Sequence, residues 1–213
     1  MRVVAIETST ARASVAFVDT SSSFEAARRF DAEGRLSRVL IPALRELEKE
    51  AWPPAEADLI ATAAGPGSFT GIRVGMAAAK GLAFVTGVPL VAVSSLAAVA
   101  SAAPGDGVVV TALDARGGYY FYAVYDNAGP YPEEVLAVDI GDEAALASLP
   151  YDVYAGPVKP PPAWLDRARP ADRWLEVWPD AAALGRLGAQ AFERRGADDV
   201  ATLRPYYLKR GQV

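Results

Sequence analysis

The chain contains neither cysteine nor histidine. Without thiols there is no disulfide, no thiolate nucleophile and no thiolate zinc site. Without imidazole there is no Ser-His-Asp or Cys-His constellation, no HExxH zinc site and no histidine acid–base catalysis. Any metal would have to bind through oxygen alone. Charge of one sign is also thin: 21 Lys and Arg stand against 26 Asp and Glu in 213 residues, for a net charge of -5. No Lys/Arg-rich block stands out, which argues against an autonomous nucleic-acid footprint. Arg2 is followed by only four apolar residues before Glu7, too few for a secretory leader. The uncharged run 81–105 is 25 residues long, but Gly87-Val88-Pro89 and Ser94-Ser95 interrupt it. It reads as helix end, turn, buried strand and new helix rather than a membrane span. The expectation is a soluble cytoplasmic protein.

What is present is a core: 52% of the residues are hydrophobic, enough for one large domain or two small lobes. Apolar runs predict strands at 3–7, 13–18 and 24–30, with a polar turn, Thr8 to Arg12, between the first two. Leu36, Val39, Leu40, Leu44 and Leu47 form the apolar stripe of a helix over 36–51, stopped by Trp52-Pro53-Pro54. Strand 59–64, a glycine-rich turn, helix 70–86, strand 89–93 and helix 95–102 complete the first half. Pro104-Gly105-Asp106-Gly107 marks a boundary, giving lobes 1–104 and 105–213. The second half begins alike: strands 108–113, 120–125 and 134–139, helix 142–149 and strand 151–155. A short helix near 164–167 and a longer one over 180–195 follow. The order strand–strand–strand–helix–strand–helix occurs twice without shared sequence, predicting two mixed-sheet α/β lobes.

The most informative run is Gly65-Pro66-Gly67-Ser68-Phe69-Thr70-Gly71-Ile72-Arg73-Val74-Gly75. Gly67, Gly71 and Gly75 are four apart and share a helix face, each costing about 1 kcal/mol relative to Ala in a helix interior. Something must come close to that backbone. A phosphate cradle is one reading, although neither GxxxxGK[ST] nor GxGxxG is matched. A nucleophilic Ser68 or Thr70 is a second; its nearest activating base, Lys80, lies about 15 Å down the helix axis. Close packing is the third: Gly71, Gly75 and Ala79 form a small-residue groove for the 36–51 helix, the sheet or a helix of another molecule.

The segment 65–83, GPGSFTGIRVGMAAAKGLA, resembles the signature of the TsaB (YeaZ) family. The likeness extends to Ile6-Glu7-Thr8-Ser9-Thr10, Leu36-Ser37-Arg38-Val39-Leu40-Ile41-Pro42, the stretch from Pro89 to Leu96, Leu113-Asp114-Ala115-Arg116 and the ending Pro205-Tyr206-Tyr207-Leu208-Lys209-Arg210. The resemblance implies a two-lobed actin-like, sugar-kinase-like (ribonuclease-H-like) α/β fold with mixed sheets. It implies a non-catalytic subunit of the machinery that makes tRNA threonylcarbamoyladenosine. The active site would lie in TsaD, a larger paralog that binds metal through histidines, and this chain has none. Implied partners are the TsaD-type paralog, a TsaE-type ATPase and, for the chain alone, a second copy, with tRNA met only through the complex. No cofactor is implied. Departures from the family pattern are Glu7 in place of Asp, a first turn without glycine, a missing His near Leu36, and Gly117-Gly118-Tyr119 where an acidic residue is common.

The resemblance places the partner surface on the first two long helices. Leu36, Val39, Leu40, Leu44, Ile72 and Met76 are the expected apolar anchors, with Gly71, Gly75 and Ala79 allowing close approach. An alternative is an autonomous phosphotransferase or ATPase of the same fold. It would use Glu7 or Asp114 for Mg²⁺, with Ser68, Thr70 and Arg73 near phosphate. Asp114 with Arg116 has a plainer reading as a turn-stabilising pair. The basic pair Lys209-Arg210 is a contact point for a partner at most.

Overall fold

The computed structural model describes residues 1–31, 34–151, 153–167 and 173–208. They divide into two compact units: Met1–Ala98 with Pro179–Tyr206, and Val99–Trp178 with the chain from Tyr207 onward. The pair Lys209-Arg210 lies outside the described residues.

In chain order the first unit holds β1 (Arg2–Glu7), β2 (Arg12–Asp19), β3 (Glu25–Asp31), α1 (Leu36–Glu48), β4 (Leu59–Gly65), α2 (Phe69–Thr86) and β5 (Leu90–Ser94). A 3-10 turn at Pro54–Glu56 precedes β4. α3 (Ser95–Ala102) carries the chain into the second unit. There β6 (Val108–Arg116), β7 (Tyr119–Asp126), β8 (Glu133–Asp142), α4 (Glu143–Ser148), β9 (Val153–Gly156), α5 (Pro162–Arg167) and β10 (Arg173–Glu176) follow. α6 (Ala181–Arg195) returns to the first unit.

The first sheet runs β3-β2-β1-β4-β5, the second β10-β9-β6-β7-β8. In each, three antiparallel strands come first, and the fourth and fifth strands then join parallel to the first. The repeat of element order read in the sequence is therefore a repeat of topology. Both faces of the first sheet are covered, so β1 and β2 are apolar nearly throughout. Val4, Ile6, Phe17 and Ile60 point into a core with Leu36, Leu40, Leu44 and Leu47 of α1 and Ala79 and Ala83 of α2.

The opposite face takes α6. Gly185 faces Ala5, Val18 and Val3, and a Cβ on Gly188 would lie 2.6 Å from that of Ala61. This differs from the sequence reading, which put everything after residue 104 in the second lobe. The buried residues of α6 are Ala181, Ala182, Ala183, Leu184, Gly185, Leu187, Gly188 and Ala189; all but the two leucines are small, and small residues pack closely on a sheet while giving a weak periodic signal.

In the second unit, Tyr154 stacks on Trp174 with ring centroids 5.5 Å apart, and Trp164 meets both edge-on. Trp164 is buried in the core of this half, and the half-buried Trp174 packs against it. Trp174 lies on β10, a four-residue strand hidden among prolines that the sequence reading did not register. Among the described residues, no helix is long and apolar enough to cross a membrane.

Candidate functional site on the first unit

The glycine-rich turn is built by backbone geometry. Gly65 and Gly67 have φ of 102° and 149° on either side of a cis peptide before Pro66, conformations that favour glycine. Ser68 N then donates to Ser9 O at 2.7 Å, tying this turn to the one between β1 and β2. Ser68 Oγ caps α2 by accepting from Gly71 N at 3.2 Å. The helix ends at Gly87, with φ 73°.

What comes close to the small-residue face is Thr8. A Cβ on Gly71 would fall 2.1 Å from Thr8 O, and one on Gly75 would fall 2.1 Å from Thr8 Oγ1. Thr8 Oγ1 donates to Gly71 O at 2.9 Å. Of the three readings of this run, close packing within the chain describes the geometry. The donor nitrogen of Ser68 is engaged by Ser9 rather than open to a phosphate. Lys80 does not activate a hydroxyl; its Nζ donates to Leu203 O at 2.9 Å.

The expected interface residues therefore need correction as to where they lie. Leu36, Leu40, Leu44, Gly71, Ile72, Gly75, Met76 and Ala79 are all buried inside the first unit, and Val39 is half-buried. Their stripe faces inward: Leu36, Leu40, Leu44 and Ala79 share a core with Val4, Ile6, Phe17 and Ile60, and Gly71 and Gly75 lie against Thr8. The surface of α2 is carried by other residues. Arg73, Ala77, Gly81, Phe84 and Val85 are exposed, with Phe84 86% and Val85 82% accessible. On α1, which touches α2, Ile41 is exposed. In the sequence these residues show only as the complementary face at 77, 81 and 84, a weaker pattern than the glycines four apart.

Of the residues expected near a nucleotide, Glu7 is fully buried. One carboxylate oxygen accepts from Ser9 N, while Oε2 has no hydrogen-bond partner among the described residues. Burial pushes its pKa up to about 7; the bonds from Ser9 oppose that, and the Asp180 charge adds to it. In this structure the carboxylate is sealed from solvent. Thr70 is exposed, and the Arg73 guanidinium lies 3.6 Å above the Phe69 ring centroid. Asp114 belongs to the second unit, where it accepts from Arg116 N at 2.7 Å in the β6–β7 hairpin. That is the turn-stabilising role of the plainer reading.

The two repeated units define the class: an α/β fold of the actin-like, sugar-kinase-like type. An inorganic polyphosphate/ATP-glucomannokinase from Arthrobacter shares that fold at a TM-score of 0.52 with 10% identity, covering 91% of this chain and 99% of the other. The structure of YeaZ from Pseudomonas aeruginosa superposes at a TM-score of 0.83 with 26% identity, over 97% of this chain and 100% of that one. The family model "TsaD: tRNA N6-adenosine threonylcarbamoyltransferase" matches residues 31–164. The tRNA threonylcarbamoyladenosine biosynthesis protein TsaB of Escherichia coli is 33% identical over 147 residues, 65% of this chain and 62% of that protein. An uncharacterized protein of Mycobacterium leprae is 35% identical over 185 residues, 79% of this chain. The match spans half the length of that relative. The chain belongs to the TsaB (YeaZ) family, within the group that the TsaD model describes.

Proposed function

We propose that the chain serves in the formation of threonylcarbamoyladenosine in tRNA as a non-catalytic subunit. It supports a TsaD-type catalytic paralog through the outer face of α1 and α2. The same face joins two copies when the paralog is absent. A TsaE-type ATPase and tRNA meet the chain through that complex.

The observation that carries this reading is Gly81. It sits exposed in the interior of α2, and a Cβ there would meet nothing within 4 Å. The fold of the unit gains nothing from a glycine that costs about 1 kcal/mol relative to Ala. A closely approaching helix of another molecule does. Phe84 and Val85, one turn on and almost wholly exposed, supply the apolar area such a helix would cover. The lack of histidine agrees with catalysis in the partner. An autonomous phosphotransferase draws no support from the sealed Glu7.

Light scattering on a sizing column tests this, for the chain alone and mixed with the TsaD-type paralog of the same genome. A dimer that converts to a mixed complex is expected. Gly81→Leu and Phe84→Glu should each weaken both assemblies while the chain stays folded. A monomer that ignores the paralog would overturn the reading.

A further inference from the structure

The outer edge of the second unit's sheet has a character that the α1–α2 surface does not share. β8 is the last strand of its sheet, and among the described residues no strand lies beyond it. Glu133 through Ala137 are all exposed, including the consecutive apolar pair Val135 and Leu136 at 53% and 39%. Residues 105–158 contain nine carboxylates, Asp106, Asp114, Asp126, Glu133, Glu134, Asp139, Asp142, Glu143 and Asp152, and a single base, Arg116. Within this sheet Glu133 stands directly opposite Asp126 in the β7–β8 ladder. Like charges placed so are destabilising, and a cation at this edge relieves them. Arg116 does not serve. It precedes Tyr119, at the far end of β7 from Asp126, about 20 Å along the strand.

The backbone here narrows the choice of partner. The pairing of β7 with β8 slips twice, between Tyr122 and Val124 and again between Val124 and Tyr125. Bulges bend an edge away from regular pairing, so a further strand would not find a continuous ladder. A second copy laid edge to edge would set acidic residues against acidic residues. Nucleic acid would meet the same repulsion from its phosphates. An amphipathic helix needs no ladder; it docks by side chains, with an apolar stripe on Val135 and Leu136 and basic residues beside the carboxylates. We propose that the β8 edge around Glu133, Glu134, Val135 and Leu136 docks a short basic amphipathic helix of a partner protein.

The test uses the full chain and a synthetic Leu/Lys amphipathic peptide of about four helical turns. A Gln/Lys peptide of equal charge is the control, with affinity read by fluorescence anisotropy and the site by amide NMR shifts. The Leu/Lys peptide should bind roughly tenfold more tightly than the control, shifting the amides of residues 133–137. Val135→Ser with Leu136→Ser, and Glu133→Lys with Glu134→Lys, should each weaken it roughly tenfold without altering the rest of the spectrum. Equal affinity for the two peptides, or unchanged binding by both variants, would overturn the proposal. So would shifts confined to α2, or an RNA oligonucleotide that shifts the same amides. A lower molar mass of the free chain after the serine substitutions would assign the edge to a second copy and overturn it too. None of these readouts involves the TsaD-type paralog, so failure here leaves the α1–α2 reading standing.

Discussion

Thr8 Oγ1 stands where a side chain on Gly75 would have to begin, 2.1 Å from the position of its Cβ. The first strand–turn–strand and the helix that follows the glycine-rich turn are thereby locked at a separation that tolerates no methyl group.

Gly75→Ala should accordingly lower stability by about 1–3 kcal/mol through overpacking. Thr8→Ala removes the obstructing hydroxyl and leaves Thr8 Cβ at the milder separation of 3.2 Å. The double variant should recover part of the loss, a coupling measurable in a thermal-denaturation cycle. Gly71→Ala should not be rescued in this way, because its obstacle is the Thr8 carbonyl oxygen rather than a side chain.

Gly81→Ala should do the reverse. Its Cβ enters open space, so urea denaturation of the isolated chain should show a gain of about 1 kcal/mol. Assembly should not improve with it. A variant that is both more stable and at least as well assembled would count against α2 as the docking helix.

Glu7 makes stability depend on pH. Its folded pKa of about 7 lies above the ordinary 4.5, so between these values the folded chain binds a proton that the unfolded chain has released. Below 4.5 the group is neutral in both states and takes nothing away. As pH rises from there through 7, stability falls, then levels off. The difference of about 2.5 units corresponds to about 3 kcal/mol. Glu7→Gln keeps an acceptor for Ser9 N and carries no charge. Urea denaturation between pH 4.5 and 8.5 should therefore give a flatter profile for the variant, with its advantage largest at the alkaline end.

Asp198 seals the edge strand β5. Its Oδ2 accepts from Ala92 N at 2.7 Å and pairs with Arg195, while Asp198 N donates to Leu90 O at 2.8 Å. Burial works to raise the Asp198 pKa, but the bonds from Arg195 and Ala92 outweigh it and hold the carboxyl low. Asp198→Ala leaves Ala92 N unpaired at a cost of about 1–3 kcal/mol. Hydrogen exchange should show the Ala92 amide opening well before those of β1.

Much of this fold was legible because its strands are short, apolar and separated by turn residues. Among the described residues, nine of the ten strands and all six helices fall where period and punctuation put them, and their repeated order points to the α/β class. The tenth strand, β10, is four residues long with Trp174 and Leu175 half-buried, too little pattern to separate from a loop. The site was read less well, and for one reason. A stripe of Leu36, Leu40 and Leu44, or of Gly71 and Gly75, tells which side of a helix is packed but not whether the packing partner is the same chain. Contacts between residues far apart in sequence decide that, such as Ser68 with Ser9 and Gly75 with Thr8. Glu7 illustrates the same limit: a carboxylate at the end of a strand looks available to a metal until the elements around it are in place.

The placement of α6 affects the order in which the protein comes into being. The second unit is continuous from Val99 to Trp178, whereas the first is closed only by Pro179–Tyr206. At ribosomal rates of about 5–20 residues per second, roughly 5–20 s separate the emergence of β5 from that of the strap that closes the unit. Throughout that interval the face of the first sheet bearing Ala5 and Ala61, which Gly185 and Gly188 of α6 will cover, is bare. The earliest part of the chain to be synthesised is thus the last to be finished, and nascent chains interrupted before residue 181 would carry an open apolar sheet for a chaperone to hold.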